Sequence, residues 1–299
     1  MEISTHLILV SSQPIPNLTP VLDERYKPNK TVMLVSPDMQ QRADALESIY
    51  KPRGIKVEQC RIDDPWDADK IRDSILDLLD AYPEGSIALN ATGGTKLMSI
   101  SAFEVFRSCN QPIFYIHPER DRLIWLNPKQ PSIDLANRIK IKDYLIAYGA
   151  SDVNIPSPFG VPESIRQLGA DIIGKIQSYG EALGILNYLA YKADKPNLTV
   201  EIDHGPKAKS DLWELLDRFA EAGLCTINGH ELRFKNKEAR FLANGGWLEQ
   251  YTYGLCLNLK KDLNLQDIAA NIEIKRQPTG GAVVKNEIDI GKPRKTHIK

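Results

Sequence analysis

Two hydrophobic patterns alternate over the first 125 residues of the chain. Short apolar runs such as HLILVS (6–11), TVMLVS (31–36) and SIALN (86–90) predict buried strands, and longer segments between them carry apolar residues at helical spacing. In the segment before SIALN, these helical positions are Ile71, Ile75, Leu78 and Leu79. Strands that alternate with helices favour a parallel sheet covered by helices on both faces. The predicted fold class is therefore α/β.

Three further runs complete the predicted sheet: IKVEQCRI (55–62), QPIFYIHP and DRLIWLNP, the last two joined by a turn at ERD. Parallel sheets bind ligands at the carboxyl ends of their strands. The segment SSQPIPN follows the first strand and NATGGTK follows the fourth. We expect both segments on the same rim of the sheet.

The remainder of the chain has a different pattern. Residues 126–160 are rich in proline and polar residues and predict a connection with one embedded helix near KDYLIAYG. Helical patterns dominate 161–240, where CTINGHELRF predicts a hairpin with an Asn-Gly turn after a helix. This order is only weakly similar to a winged helix, and a packing domain without a nucleic-acid role is favoured.

The last block predicts a helix in ARFLANGGWLEQYTYGLCLNLKK, then strands in ANIEIKRQ and AVVKNEIDI, and ends in the basic stretch GKPRKTHIK. The predicted domains are 1–130, a ligand-binding domain; 131–240, a helical or winged-helix-like connector; and 241–299, a C-terminal domain.

Composition narrows the possible functions. Hydrophobic residues make up 42% of the chain, charged residues 26%, and the formal net charge is -1, so bulk charge does not draw the protein to polyanions. The four cysteines are far apart, which favours free thiols in a reducing compartment. No signal-peptide pattern and no apolar run of membrane-spanning length occurs, so we expect a cytoplasmic protein without membrane contact.

The stretch ATGGTKL combines two glycines, two threonines and a lysine between a predicted strand and a predicted helix. It does not fit the P-loop, because leucine follows Lys96 where that motif needs Ser or Thr. Gly93 and Gly94 permit unusual backbone angles, and the N–H groups of the helix start face the same place. The residues alone leave two interpretations open: a phosphate or nucleotide cradle, or a tight turn with an exposed lysine.

The stretch NATGGTKLMSISAFEVFRS, followed by QPIFYIHPERDRLIWL, resembles the CARF domain, the CRISPR-associated Rossmann fold. The later NGGWLEQY and NEIDI resemble the nuclease part of CARF-fused PD-(D/E)XK nucleases, which cyclic oligoadenylate activates in type III CRISPR systems. The resemblance extends from about residue 6 to 290. It implies a Rossmann-like N-terminal domain and a partial restriction-endonuclease-like C-terminal domain.

The resemblance also implies a ligand and a partner. In that family two CARF domains form a homodimer and bind one ring of cyclic tetra-adenylate in the cleft between them. Carried over by position, the ligand contacts are Ser11, Ser12 and Gln13 after the first strand, and Asn90, Thr92, Gly93, Gly94, Thr95 and Lys96 after the fourth. A ring of four phosphates needs N–H, hydroxyl and ammonium donors, which these residues offer.

For the C-terminal part, the resemblance implies a metal-dependent nuclease that cuts DNA or RNA. Its carboxylates would bind Mn²⁺ or Mg²⁺. Glu249 in GGWLEQY matches the helical glutamate, Asp289 in NEIDI matches the strand aspartate, and Glu287 is a weaker neighbour on the same face. The E-x-K triplet of the family does not follow Asp289, because GKPRKTHIK contains no acidic residue. We therefore expect a truncated nuclease domain with a sheet of two strands.

Three functions follow from this resemblance. The chain is a nuclease gated by the ligand, a receptor or sink that binds the ligand and cuts nothing, or a ring nuclease that cleaves the ligand in the CARF cleft. In the third case Thr92, Thr95 and Lys96 would position and stabilise the reacting phosphate.

The other candidate side chains have structural interpretations. His117 ends a predicted strand at the ligand rim, where a structural role is favoured over contact with an adenine. The tryptophans Trp66 and Trp125 are assigned to cores, and Trp247 and Tyr251 to packing rather than base stacking.

Overall fold

The computed structural model describes residues 3–136, 138–156, 160–202, 209–276 and 281–291. The described residues form two compact units. The first unit takes its residues from 1–155, 264–267 and 271–299, and the second from 156–263 and 268–270. The family-derived boundaries at 130 and 240 stay predictions.

A seven-stranded sheet is the centre of the first unit, with the strand order β3-β2-β1-β4-β5-β6-β7. Its strands are β1 (Thr5–Leu9), β2 (Lys30–Val35), β3 (Lys56–Arg61), β4 (Ile87–Asn90), β5 (Ile113–His117), β6 (Arg122–Asn127) and β7 (Ile133–Asp134). The strands β3, β2, β1, β4 and β5 run parallel, whereas β6 and β7 add antiparallel pairs at one edge. The predicted α/β class and the six predicted strands are confirmed.

Helices cover both faces of this sheet. They are α1 (Ile15–Leu22), α2 (Gln40–Tyr50), α3 (Ala68–Leu79), α4 (Lys96–Ser108) and α5 (Ile141–Ala147). Alternation along β1 sends Leu7 and Leu9 into a core with α3 and α4, and sends Ile8 into a second core with α1 and α2. Because the sheet is buried on both faces, its strands read as continuous apolar runs.

The sequence pattern predicted no helix after the first strand, but the structure has the helix α1 there. Its prolines are the reason: Pro16 lies in the first turn, where proline is tolerated, but Pro20 lies inside the helix. A proline inside a helix removes one backbone hydrogen bond, so the pattern reads as a loop.

The second unit contains α6 (Glu163–Gly174), α7 (Ile176–Lys192), β9 (Thr199–Glu201), α8 (Lys209–Glu221), β10 (Cys225–Asn228), β11 (Glu231–Phe234), α9 (Lys237–Phe241) and α10 (Trp247–Asn258). The predicted hairpin is confirmed as β10 and β11, and β9 pairs with β11 as a third strand. Asn228 pairs with Glu231, so the two turn residues are Gly229 and His230 rather than Asn228 and Gly229.

A smaller sheet has the order β13-β12-β8, from β8 (Asp152–Asn154), β12 (Ala269–Arg276) and β13 (Val284–Gly291). The two predicted C-terminal strands are present, but the expectation of only two strands is wrong. The strand β8 comes from the proline-rich connection and pairs antiparallel with β12 through Val153 and Ile274. Its short length hid it from the pattern, since three residues give no periodicity.

Candidate functional site

The candidate site lies at the carboxyl ends of β1 and β4. These strands are neighbours in the sheet, and the chain order reverses between them, since β2 and β3 extend to one side and β5 to the other. In open α/β sheets such a reversal opens a crevice that binds ligands. The expectation that the segments after the first and fourth strands share one rim is confirmed.

The glycine loop, which we define as residues 91–95, is pressed against the end of β1. A Cβ on Gly93 would lie under 3.0 Å from the Leu9 carbonyl oxygen, inside contact distance. Gly94 has φ +74°, and a Cβ there would lie 2.9 Å from the Leu9 Cβ. Both positions require glycine, one for close approach and the other also for its left-handed backbone. The glycines therefore bring the loop backbone onto the rim.

Asn90 lies under this loop and is fully buried. Its Nδ2 donates to the Pro16 carbonyl at 3.0 Å and to Asn17 Oδ1 at 3.0 Å. Its Oδ1 accepts from Thr92 N at 3.2 Å and from Thr92 Oγ1 at 2.7 Å. The amide thus links the loop to α1 through four hydrogen bonds.

The bond to Pro16 has a specific cause. In an α-helix the carbonyl of residue 16 accepts from the N–H of residue 20, but Pro20 has no N–H to donate. The Asn90 amide supplies the missing donor. The break in the α1 hydrogen-bond ladder and the buried amide after β4 therefore complement each other.

The threonines of the loop have different surroundings. Thr92 Oγ1 also accepts from Ile116 N at 2.8 Å, so it ties the loop to β5. Thr95 is the N-cap of α4 and accepts from Met98 N at 3.1 Å. Lys96 follows as the first residue of α4 and is exposed. The loop therefore ends in a helix start with an exposed ammonium group, where the remaining N–H groups of the first turn favour an anion.

On the β1 side of the rim, Ser12 and Gln13 are exposed and Ser11 is half-buried. Ser11 Oγ accepts from Gln13 N at 3.3 Å, which folds this segment into a turn. The structure therefore brings the two predicted ligand segments to one rim. The contacts themselves stay predictions.

Two buried titratable groups lie elsewhere in the same unit. His6 of β1 packs edge-on against Phe114 with ring centroids 5.1 Å apart, and burial lowers its pKa to about 4. Asp23 accepts hydrogen bonds from the Arg25 side chain, which lower the pKa of this carboxyl to about 2, and also from Ala136 N at 2.8 Å. His6 is therefore neutral at pH 7 and Asp23 is charged.

Glu249 and Asp289, the predicted metal ligands, lie on α10 and β13. Glu249 is half-buried and Asp289 is exposed, as is its strand neighbour Glu287. Glu249 belongs to the second unit and Asp289 to the first. Across the described ranges, no group of three or more His, Cys, Asp or Glu side chains is placed to hold a metal ion. The basic residues 292–299, where the E-x-K element was sought, lie outside the described residues.

Comparison with known families assigns both ends of the chain. The family model of the Card1 CARF domain matches residues 5–144, and that of the Card1-like endonuclease domain matches residues 236–297. The chain joins a Card1-type CARF domain to a Card1-like endonuclease domain. The resemblance carried by NATGGTKLMSISAFEVFRS and by NGGWLEQY is confirmed.

Solved structures share this fold. Protein VC1899 from Vibrio cholerae is 29% identical with a TM-score of 0.90, and the match covers 98% of this chain and 78% of that chain. Can2 from Sulfobacillus thermosulfidooxidans, solved in complex with cyclic tetra-adenylate, is 24% identical with a TM-score of 0.78 over 97% of this chain and 76% of that chain.

A type III CRISPR defence DNA nuclease activated by cyclic oligoadenylate is 18% identical, with a TM-score of 0.55, over 99% of this chain and 39% of that chain. No curated protein matches the chain in sequence. No helix among the described residues is both long and apolar enough to cross a membrane.

The prediction of a core position for Trp66 is wrong. Its side chain is 73% exposed in the loop between β3 and α3. The assignments of Trp125 and Trp247 to cores are confirmed, since they are 8% and 5% exposed. Tyr251 packs against Gly169, where a Cβ would lie 2.5 Å from its ring. The cluster of aspartates around Trp66 is the signal that could have indicated a surface position.

Proposed function

We propose that this chain is a cyclic tetra-adenylate receptor of type III CRISPR defence, and that its ligand-bound homodimer gates a metal-dependent nuclease acting on DNA or RNA. One observation carries the proposal. A CARF domain with a glycine loop on its ligand rim and a Card1-like endonuclease domain occur in the same chain. Can2, which has the same fold, was solved with cyclic tetra-adenylate bound.

The rim residues divide into two roles under this proposal. Ser11, Ser12, Gln13, Gly93, Gly94, Thr95 and Lys96 contact the ligand, through backbone N–H groups, hydroxyls, an amide and the Lys96 ammonium. Asn90 and Thr92 position these contacting residues instead of touching the ligand themselves. Because Asn90 is fully buried and bonded on both sides, it holds the glycine loop in place for the contacting residues.

The nuclease part would use Glu249 and Asp289 as ligands of Mn²⁺ or Mg²⁺, since carboxylate oxygens are the donors these ions prefer. Such a metal supplies Lewis-acid stabilisation of a phosphate that is being cleaved. The exposed position of Asp289 on β13 leaves its carboxylate open to an ion and to a polyanionic substrate.

A receptor that cuts nothing is the second candidate. The two candidates share the ligand site and differ only in what binding controls.

Ligand binding is tested first, by titration calorimetry with cyclic tetra-adenylate. We compare the wild type with Lys96→Ala and with Lys56→Ala as the matched control. Lys56 is also exposed, but it begins β3 and so lies at the amino edge of the sheet, opposite the rim. Loss of one ammonium–phosphate contact predicts about tenfold weaker binding for Lys96→Ala alone. Absence of binding by the wild type would refute the receptor.

Cleavage is tested with supercoiled plasmid and single-stranded RNA in Mn²⁺, with and without cyclic tetra-adenylate, for the wild type and Asp289→Asn. The control variant is Asp73→Asn, which changes an exposed carboxylate on α3. Ligand-dependent cutting that only Asp289→Asn abolishes supports the nuclease. Binding without cutting and with intact ligand recovered supports the receptor, and linear ligand products from the wild type would identify a ring nuclease.

A further inference from the structure

Trp66 is the most exposed of the large hydrophobic side chains in the described residues, at 73%. Leaving an indole in water forgoes the burial of a large apolar surface, which is why tryptophans are usually covered. We therefore expect an exposed tryptophan beside a ligand site to be covered by a ligand group with flat, apolar faces.

Several hydrogen bonds hold the segment that carries Trp66, among them the bond from Asp67 N to the Asp64 carbonyl at 3.3 Å. Trp66 N donates to Asp64 Oδ1 at 3.0 Å, and Asp67 caps α3 by accepting from Lys70 N at 3.1 Å. Thr95 Oγ1 donates to the Pro65 carbonyl at 3.3 Å. The residue immediately before Trp66 is thus bonded to the residue that caps α4. The backbone of Trp66 is fixed at the edge of the glycine loop, on the same side of the sheet as α3 and α4.

The charges around the indole select the type of partner. The exposed aspartates Asp63 and Asp64 precede it, and the half-buried Asp67 and the exposed Asp69 follow. Asp63, Asp67 and Asp69 form ion pairs with Arg61, Lys70 and Arg72. Because these ion pairs leave no excess of positive charge beside the indole, the anionic part of a ligand belongs at the glycine loop and Lys96 rather than here. Carboxylate oxygens accept hydrogen bonds from exocyclic amino groups, which adenine carries at N6.

We propose that Trp66 stacks on an adenine base of the ligand whose phosphates bind the glycine loop and Lys96. This inference rests on the proposed receptor function and deepens it, because it makes the loop after β3 a base-reading part of the site. Aromatic rings stack on nucleobases with a gain that an alanine variant loses.

The test measures cyclic tetra-adenylate affinity for the wild type, Trp66→Ala and Trp66→Phe. The matched control is Leu76→Ala, which removes an exposed apolar side chain, 43% exposed, from α3. We expect Trp66→Ala to bind about tenfold to a hundredfold more weakly, Trp66→Phe to recover most of the affinity, and Leu76→Ala to bind like the wild type. Tryptophan emission of the wild type should be quenched on binding, and Trp66→Phe should lose that quenching.

Three outcomes would overturn the proposal. In the first, Trp66→Ala binds like the wild type while Lys96→Ala is impaired; the receptor function then stands and stacking is wrong. In the second, light scattering shows that Trp66→Ala changes the oligomeric state and that binding falls only as dimer is lost; the indole then belongs to a contact between copies of the chain. In the third, the wild type does not bind cyclic tetra-adenylate, so the proposed function fails and the stacking proposal fails with it.

Discussion

Replacing Asn90 by alanine tests the hydrogen-bonded support of the glycine loop. The substitution removes four hydrogen bonds from a fully buried position. The buried Pro16 carbonyl and Asn17 Oδ1 then lose a partner, and so does the N–H of the half-buried Thr92. Thr92 Oγ1 is less affected, because it still accepts from Ile116 N.

The magnitude follows from these orphaned groups. A buried polar group without a partner costs about 1–3 kcal/mol, and the costs of neighbouring groups are not additive. We take about 3 kcal/mol for the three groups together, since the vacated volume lets the loop settle or a water enter. For a unit of this size each kcal/mol lowers the melting temperature by about 2–4 °C, so we expect a decrease of about 6–12 °C.

Thermal unfolding followed by circular dichroism measures the decrease in melting temperature. Amide hydrogen exchange shows which part of the chain is destabilised. Asn154→Ala is the matched control, because that amide is exposed on β8 and donates one hydrogen bond to Glu273 at 3.2 Å. It should change stability by less than about 0.5 kcal/mol. An Asn90→Ala melting temperature within about 2 °C of the wild type, or exchange that is unchanged in the loop and in α1, would refute the supporting role.

The remaining predictions concern other positions. Gly93→Ala should lower both the melting temperature and the ligand affinity, because its Cβ would collide with the Leu9 carbonyl, whereas Gly180→Ala, with nothing within 4 Å, should be neutral or stabilising; a normal Gly93→Ala protein would contradict the close approach. Burial lowers the pKa of His6 from 6.5 to about 4, so the folded state resists protonation, and stability should be full above about pH 6.5 and fall toward pH 4 by up to about 3 kcal/mol. Urea midpoints between pH 7.5 and 4 measure this, and a His6→Phe protein that kept the same slope would assign it to another group. The Arg25 hydrogen bonds lower the pKa of Asp23 to about 2, so the stability that the charged Asp23 contributes is present above about pH 4 and lost toward pH 2. In Asp23→Asn, the urea midpoint should therefore change less with pH between 4 and 2. An unaltered pH profile of the variant would argue against this assignment.

The sequence predicted the sheet and the location of the glycine loop, because both depend on local signals. Apolar runs such as HLILVS and SIALN are buried on both faces, and the two glycines follow a strand directly. These signals need no knowledge of distant residues.

What the sequence could not predict depends on contacts between distant residues. The helix α1 exists despite Pro20 because α1 packs on the sheet and Asn90 supplies a donor. The strand β8 forms because β12 offers it an edge. The exposure of Trp66 follows from the turn at Asp64 and the tie from Thr95, neither of which has a periodic pattern. The roles of Glu249 and Asp289 come from family resemblance, since a lone carboxylate carries no sequence signal of its own.

The match between Pro20 and Asn90 has a genetic consequence. The Asn90 amide donates to the Pro16 carbonyl because Pro20 has no N–H. A residue at position 20 that has an N–H can donate to this carbonyl instead, so the loss of the Asn90 amide should then be less destabilising. A library built on Asn90→Ala and screened for recovered folding should therefore return Pro20→Ala as a second-site suppressor.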